Sequence, residues 1–355
     1  MPTFTYKGEY ELENGNYLTR PTIQYEIYGE LNPEKNNIIL LCHTLFGGID
    51  QYNYDQYWFI GPGKPIDTNQ FCIIMMANLG ASHGSTSPKT INPSTNKKYG
   101  TDFPAVTIHD SVGIHRKVLE ALGIRNVYAL IGGSFGGFTA FCWLTEYPQL
   151  FNNIIIFESD IRVSQFSAAA FALVKNQFLS DPKWNHGDYQ DHHINEMQAL
   201  QFTIRLNRLC QVTPSTFDRL FANKSSDSVR SSNFMDTSLP AERWILKKTA
   251  WNYLDPNSML CTLNSSSNFD LERSRPQYIE QWKKLRSNIF LIACNQDVEY
   301  TITKMNSIHE KLNEVGTKSH FFVIDSELGH GAFLSDQQAI EPIFKLMRSK
   351  ELYPT

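Results

Sequence analysis

Six short apolar runs, rich in isoleucine, valine and phenylalanine, punctuate the chain: NNIILLCHTL, QFCIIMMANL, RNVYALIGGS, FNNIIIFES, SNIFLIACNQD and HFFVIDSEL. Their length and near-continuous hydrophobicity predict strands covered on both faces, since a strand with one wet face would alternate with polar residues. Helical patterns lie between several of them. From Thr107 to Leu122 the residues Ile108, Val112, Val118, Leu119 and Leu122 recur at roughly helical spacing, and Gly123 supplies a C-terminal stop. Strand and helix alternating in this way predict a mostly parallel central sheet flanked by helices.

Residues 161–271 break the pattern. They contain no convincing strand; SAAAFALVKNQFL, NEMQALQFTIRLNRLC and STFDRLFANK carry apolar residues at helical spacing instead. The expectation is an α/β core built from residues 1–160 and 272–355, with residues 161–271 inserted as a helical lid over one end of the sheet. The Ser/Asn-rich patches SSDSVRSSN and LNSSSN read as exposed loops.

Composition narrows the classes. The chain has 355 residues, enough for a large core, and 32 basic against 36 acidic residues, a net charge of -4. No basic excess is present to drive binding to a phosphate backbone, so no nucleic-acid partner is expected. The N-terminus lacks the apolar core and cleavage site of a signal peptide, and no stretch approaches the ~18 apolar residues of a spanning helix. Of only six cysteines, Cys42, Cys72 and Cys294 lie inside apolar strand-like runs, as buried free thiols do. A soluble, cytoplasmic protein that takes a small-molecule substrate, with no membrane partner, is the expectation.

The chemistry centres on VYALIGGSFGGFTAFCWL, where a strand runs through Gly132-Gly133-Ser134-Phe135-Gly136 into a helix. G-x-S-x-G between strand and helix is a nucleophile elbow: the sharp turn lifts the serine hydroxyl over the sheet, and the following amide, that of Phe135, faces a developing oxyanion. A phosphate loop would need a terminal G-K-[ST], which is absent. Serine needs a base, and the base a carboxylate, each at the end of a later strand. Asp297 and His330 follow the last two apolar runs in that order. Asp325 is too close in sequence to His330 for good geometry, and Asp160 stands where an alternative acid is occasionally found. Asp191, His192 and His193 lack a second ligand pair at helical spacing, so no metal site is expected. A second oxyanion donor is expected from Leu45, in CHTLFGG; His43 reads as a structural loop residue.

These residues, together with YWFIGPGKPIDTNQFCIIMMANLGASHGSTSPKTINPSTNKKYGTDFP, TIHDSVGIHRKVLEALGI, DPKWNHGDY, DPNSML and GHGAFL, resemble the homoserine O-acetyltransferase family of α/β-hydrolase-fold acyltransferases. The resemblance covers about residues 40 to 335. It implies an α/β-hydrolase fold and a Ser134-His330-Asp297 triad that takes an acyl group from acetyl-CoA, or another acyl-CoA, and passes it to a hydroxyl acceptor. No permanently bound cofactor is implied, and the lid helices would build a homodimer. Family members that use homoserine resemble one another in an Asp after the catalytic His and a lid Arg. The arginine corresponds to Arg205, but the Asp position is Gly331, and a family tyrosine is replaced by Val212. One charge-assisted hydrogen bond is worth roughly 1.5 to 3 kcal/mol, or about tenfold to a hundredfold in affinity. An acyltransferase for an acceptor other than homoserine is therefore expected. A serine hydrolase with water as acceptor is the alternative, and a non-catalytic binding protein on the same scaffold is a third class.

Overall fold

The computed structural model describes residues 1–49, 57–222, 240–247 and 254–347. Its sheet has eight strands: β1 (Thr3–Thr5), β2 (Thr22–Tyr28), β3 (Ile38–Cys42), β4 (Cys72–Met76), β5 (Val127–Gly133), β6 (Phe151–Phe157), β7 (Asn288–Cys294) and β8 (Ser319–Ile324). They lie in the order β1-β2-β4-β3-β5-β6-β7-β8. Strands β3 to β8 pair in parallel and are the six apolar runs. The two antiparallel strands β1 and β2 extend one edge. Neither stands out in the sequence: TIQYEIY is only partly buried and mixes polar with apolar residues.

Adjacent side chains of a strand leave opposite faces of the sheet. Ile38 and Leu40 accordingly enter one hydrophobic cluster, with Ile74, Leu130, Ile156 and Leu291, while Ile39 and Leu41 enter the other, with Ile73, Met75, Ile131 and Ile292. On the first face lie α1 (Ile108–Ala121) and α2 (Phe135–Glu146). Helix α1 starts where the sequence predicts: the Thr107 hydroxyl accepts the Asp110 N–H and the Asp110 carboxylate accepts the Thr107 N–H, a reciprocal capping box.

After β6 the chain leaves the sheet and returns at residue 271. The two ends are tied together, Val163 N–H donating to Phe269 O at 3.0 Å and Leu271 N–H to Ile161 O at 2.8 Å. Between them lie α3 (Gln165–Ser180), α4 (Gln198–Gln211), α5 (Pro214–Phe221), α6 (Pro240–Leu246) and α7 (Pro256–Ser267). Helices α3, α4 and α7 share a separate apolar cluster with Trp184 and Met197 that includes Val174, Phe178, Leu200 and Met259. The polar patch SSDSVRSSN, residues 225–233, lies outside the described residues. LNSSSN is not an exposed loop: all but its last residue belong to α7, and Ser265 and Ser266 are buried. Helix α7 packs against α3, and Ser266 borders the cavity of the candidate site. Two further helices, α8 (Ile302–Glu314) and α9 (Gln337–Met347), cover the last strands. Among the described residues no helix is long and apolar enough to cross a membrane.

Candidate active site

Ser134 stands between β5 and α2 with φ 55°, ψ -122°. That is strained backbone for a residue with a side chain, of the kind held only where the surroundings over-determine it. They do so here. Ser134 N–H donates to Phe157 O at 3.1 Å, continuing the ladder to β6, and Ser159 Oγ donates to Ser134 O at 2.8 Å. The turn closes because two glycines lack side chains. A Cβ on Gly132 would stand 2.2 Å from Gly136 O, and one on Gly136 would stand 2.5 Å from Cys42 O.

His330 follows β8 in a turn flanked by Gly329 and Gly331, at φ 68° and 89°. Its Nε2 accepts the Ser134 hydroxyl at 2.8 Å, and its Nδ1–H donates to Asp297 Oδ2 at 2.9 Å. Asp297 follows β7; its other oxygen accepts the amides of Glu299 at 2.7 Å and Tyr300 at 2.9 Å, which fix the carboxylate. The lid reaches this turn as well, since Thr216 Oγ1 donates to Glu327 O. Neither competing acid is close: Asp160 accepts from Ile161 N at 2.7 Å and Asp325 from Asn295 Nδ2.

One functional residue escaped the sequence reading. Glu158, directly after β6, is fully buried; its carboxylate accepts the amides of Gly331 at 2.5 Å and Phe333 at 3.3 Å and lies 3.9 Å from His330 Nδ1. Its own φ is 42°. A carboxylate directly after the apolar run Ile154 to Phe157 was the available signal, since such a group is rarely buried without a specific partner. Burial, with the Asp297 charge adding, raises the Glu158 carboxyl to about 8 against the opposing pull of His330 and the two amides. Burial by itself would lower His330, but the carboxylates of Asp297, Glu299 and Glu158 outweigh it and raise the imidazole well above its ordinary value. Glu158, Asp297 and His330 are the one metal-ligand-like cluster among the described residues. The hydrogen bonds above already engage both imidazole nitrogens and both carboxylates.

Leu45 and Phe135 border the same cavity as Ser134, a space of about 330 Å³. Neither backbone N–H has an acceptor among the described residues, which leaves both available to a developing oxyanion. The Leu45 loop is set by His43. The buried ring donates from Nδ1 to Thr44 O at 2.9 Å and accepts Asn78 N–H at Nε2, 3.3 Å away, and burial lowers its pKa. The neighbouring His192 and His193 are remote from this cavity, on a short 3-10 turn with no buried residue.

A family model described as the alpha/beta hydrolase fold matches residues 37–337. A homoserine O-acetyltransferase from Methanosphaera stadtmanae is 32% identical over 354 residues, which cover 97% of this chain and 72% of that protein. The chain belongs to the homoserine O-acetyltransferase family. A homoserine O-succinyltransferase from Cellvibrio japonicus is 29% identical, over 97% of this chain and 94% of its own length. The crystal structure of esterase E22 superposes with a TM-score of 0.84 at 26% identity, covering 97% of this chain and 98% of that one.

In this homoserine O-acetyltransferase-family chain one wall of the cavity comes from α3, α4 and α7. Helix α4 presents Asn207 and Gln211 to it, four residues apart and so on one face. Arg205, two residues before Asn207, is rotated by about 200° around the helix. Its Nη2 donates to Leu246 O at 3.3 Å, and the residue does not line the cavity. The arginine expected for acceptor binding therefore stays on the helix's other side. Gly331 does line the cavity, with no side chain to offer. Val212 caps α4 and is outside the lining.

Proposed function

We propose that this protein is a serine acyltransferase that moves an acyl group from an acyl-CoA thioester to a hydroxyl acceptor other than homoserine. The observation that carries the reading is the hydrogen-bonded line from Ser134 through His330 to Asp297, 2.8 and 2.9 Å long. Ser134 Oγ attacks the thioester carbonyl as its proton passes to His330 Nε2, and Asp297 steadies the imidazolium. The amides of Leu45 and Phe135 hold the oxyanion. The thiol leaves with the proton from His330, and an alcohol then attacks the Ser134 ester, its proton returning through His330 to Oγ. This chemistry requires no resident cofactor. Against homoserine stand Gly331, which brings no carboxylate for an amine, and Arg205, which faces away from the cavity.

A hydrolase using the same acyl-enzyme is the second reading, favoured by the likeness to esterase E22. Incubation with acetyl-CoA and with p-nitrophenyl acetate, each with and without alcohols, separates the two. The transferase reading expects ester products that increase with alcohol concentration. Rapid ester hydrolysis that no alcohol diverts would overturn it in favour of the hydrolase.

The proposal includes a cytoplasmic homodimer joined through the lid. Leu173, Leu179, Leu209, Leu220 and Leu246, all on lid helices, are among the most exposed large apolar side chains of the described residues. Such side chains concentrated on one part of a protein favour an interaction surface.

A further inference from the structure

Glu299 is the one carboxylate lining the cavity among the described residues; no lysine or arginine lines it. Its backbone is pinned, because its N–H donates to Asp297 Oδ1. Its side chain is aimed from the lid side: Oε2 accepts the Ser167 hydroxyl of α3 at 2.7 Å, and Oε1 has no partner among the described residues. Glu299 also borders a smaller recess walled by Phe46, Phe166, Phe171, Val174 and Leu206. The carboxylate thus stands between the serine's cavity and a small, largely apolar recess of about 40 Å³.

We infer that Glu299 is the specificity anchor for the alcohol portion of the substrate, which carries a protonated amine, an apolar body and no carboxylate. The assignment rests on the serine chemistry proposed above. A charge-assisted hydrogen bond out of bulk water favours a cation by about tenfold to a hundredfold over a neutral isostere. An anionic group would meet the Glu299 carboxylate with no lysine or arginine in the lining to offset it, so a carboxylate is disfavoured by repulsion. Position 331, next to His330, is then not needed for amine recognition; the charge comes instead from two residues beyond Asp297. The same contacts serve whether the alcohol leaves or enters. In the leaving direction Ser134 Oγ forms a bond to the acyl carbon, the ester C–O bond breaks, and His330 Nε2 delivers its proton to the departing alkoxide. Water or a second alcohol then takes the acyl group from Ser134.

Three acetate esters that share a three-carbon linker test this: dimethylaminopropyl acetate (cationic), isohexyl acetate (its neutral isostere) and acetoxybutyrate (anionic). The full-length protein is expected to favour the cationic ester over the neutral one by tenfold or more in kcat/KM, with the anionic ester the poorest. In Glu299→Gln the cationic-to-neutral ratio is expected to fall by about tenfold to a hundredfold, and Glu299→Asp should retain part of it. An absent cationic preference in the unmodified protein overturns the inference without any variant. A ratio unchanged in Glu299→Gln overturns it too. Failure to release p-nitrophenolate from p-nitrophenyl acetate removes the serine chemistry and this inference together. Release with no charge preference removes this inference alone.

Discussion

Glu158 places its carboxylate 3.9 Å from Nδ1 of His330, behind the 2.9 Å bond from that nitrogen to Asp297. Two carboxylates this close in a dry site do not ionise independently. Glu158 holds its proton to about pH 8, whereas in the unfolded chain it ionises near the ordinary value of 4.5. A raised carboxyl adds stability that is complete below the unfolded value and is lost as pH rises through the folded one. The folded protein should therefore lose stability between about pH 4.5 and 8, by at most about 1.4 kcal/mol per pH unit for this one proton. His330, also raised, acts in the same direction. Glu158→Gln should flatten the slope, as read by urea midpoints across that range. An unchanged slope would mean Glu158 is already ionised at neutral pH.

Asp297→Asn should leave the fold intact and cost about 10⁴-fold in kcat. Its carbonyl can still accept the Glu299 and Tyr300 amides. Its NH₂ would then face Nδ1 of His330, forcing the tautomer that cannot accept the Ser134 proton. Circular dichroism alongside p-nitrophenyl acetate turnover checks both halves.

Gly136→Ala should destabilise by roughly 1–3 kcal/mol, because its Cβ would lie 2.5 Å from Cys42 O and 3.0 Å from His43 O, both backbone atoms that cannot swing aside. Turnover should fall in parallel, since the displaced elbow carries the Phe135 amide. Denaturant midpoints and kcat of one preparation decide it.

Gly331→Asp introduces a Cβ with nothing within 4 Å, at φ 89°. The left-handed backbone costs about 1 kcal/mol, but the new carboxylate should improve amine-bearing acceptors about tenfold or more. Because Arg205 faces Leu246, aminopropanol should gain at least as much as homoserine in acetyl-transfer assays. A gain confined to homoserine would show that a cation for its carboxylate is within reach after all.

Light scattering should give twice the monomer mass, and Leu209→Asp, on the exposed flank of α4, should shift it to the monomer. A monomeric unmodified protein would remove the lid interface.

The six parallel strands were legible because burial on both faces leaves a local mark, a continuous apolar run. The edge strand Thr22–Tyr28 left none, being partly exposed and mixed in composition. Ser134, Asp297 and His330 were legible for a related reason: each sits at the end of such a run. Their convergence follows from the parallel neighbours β5 to β8, which bring their carboxyl ends to one edge.

Within a single element, residue type and spacing dictate the outcome, and the sequence by itself determined the strand-turn-helix around Ser134, the chain order of Ser134, Asp297 and His330, and the helices at 165–180, 198–211 and 214–221. Tertiary structure decided what depends on rotation and on distant neighbours. The turn of α4 put Asn207 and Gln211 over the serine and carried Arg205 away. Pairing of β6 with β7 brought Glu158 to a histidine 172 positions later, and the Ser167 hydroxyl of α3 holds the Glu299 carboxylate beside the cavity. A side chain's spacing says which face of an element it occupies. Only the packed structure says what that face meets.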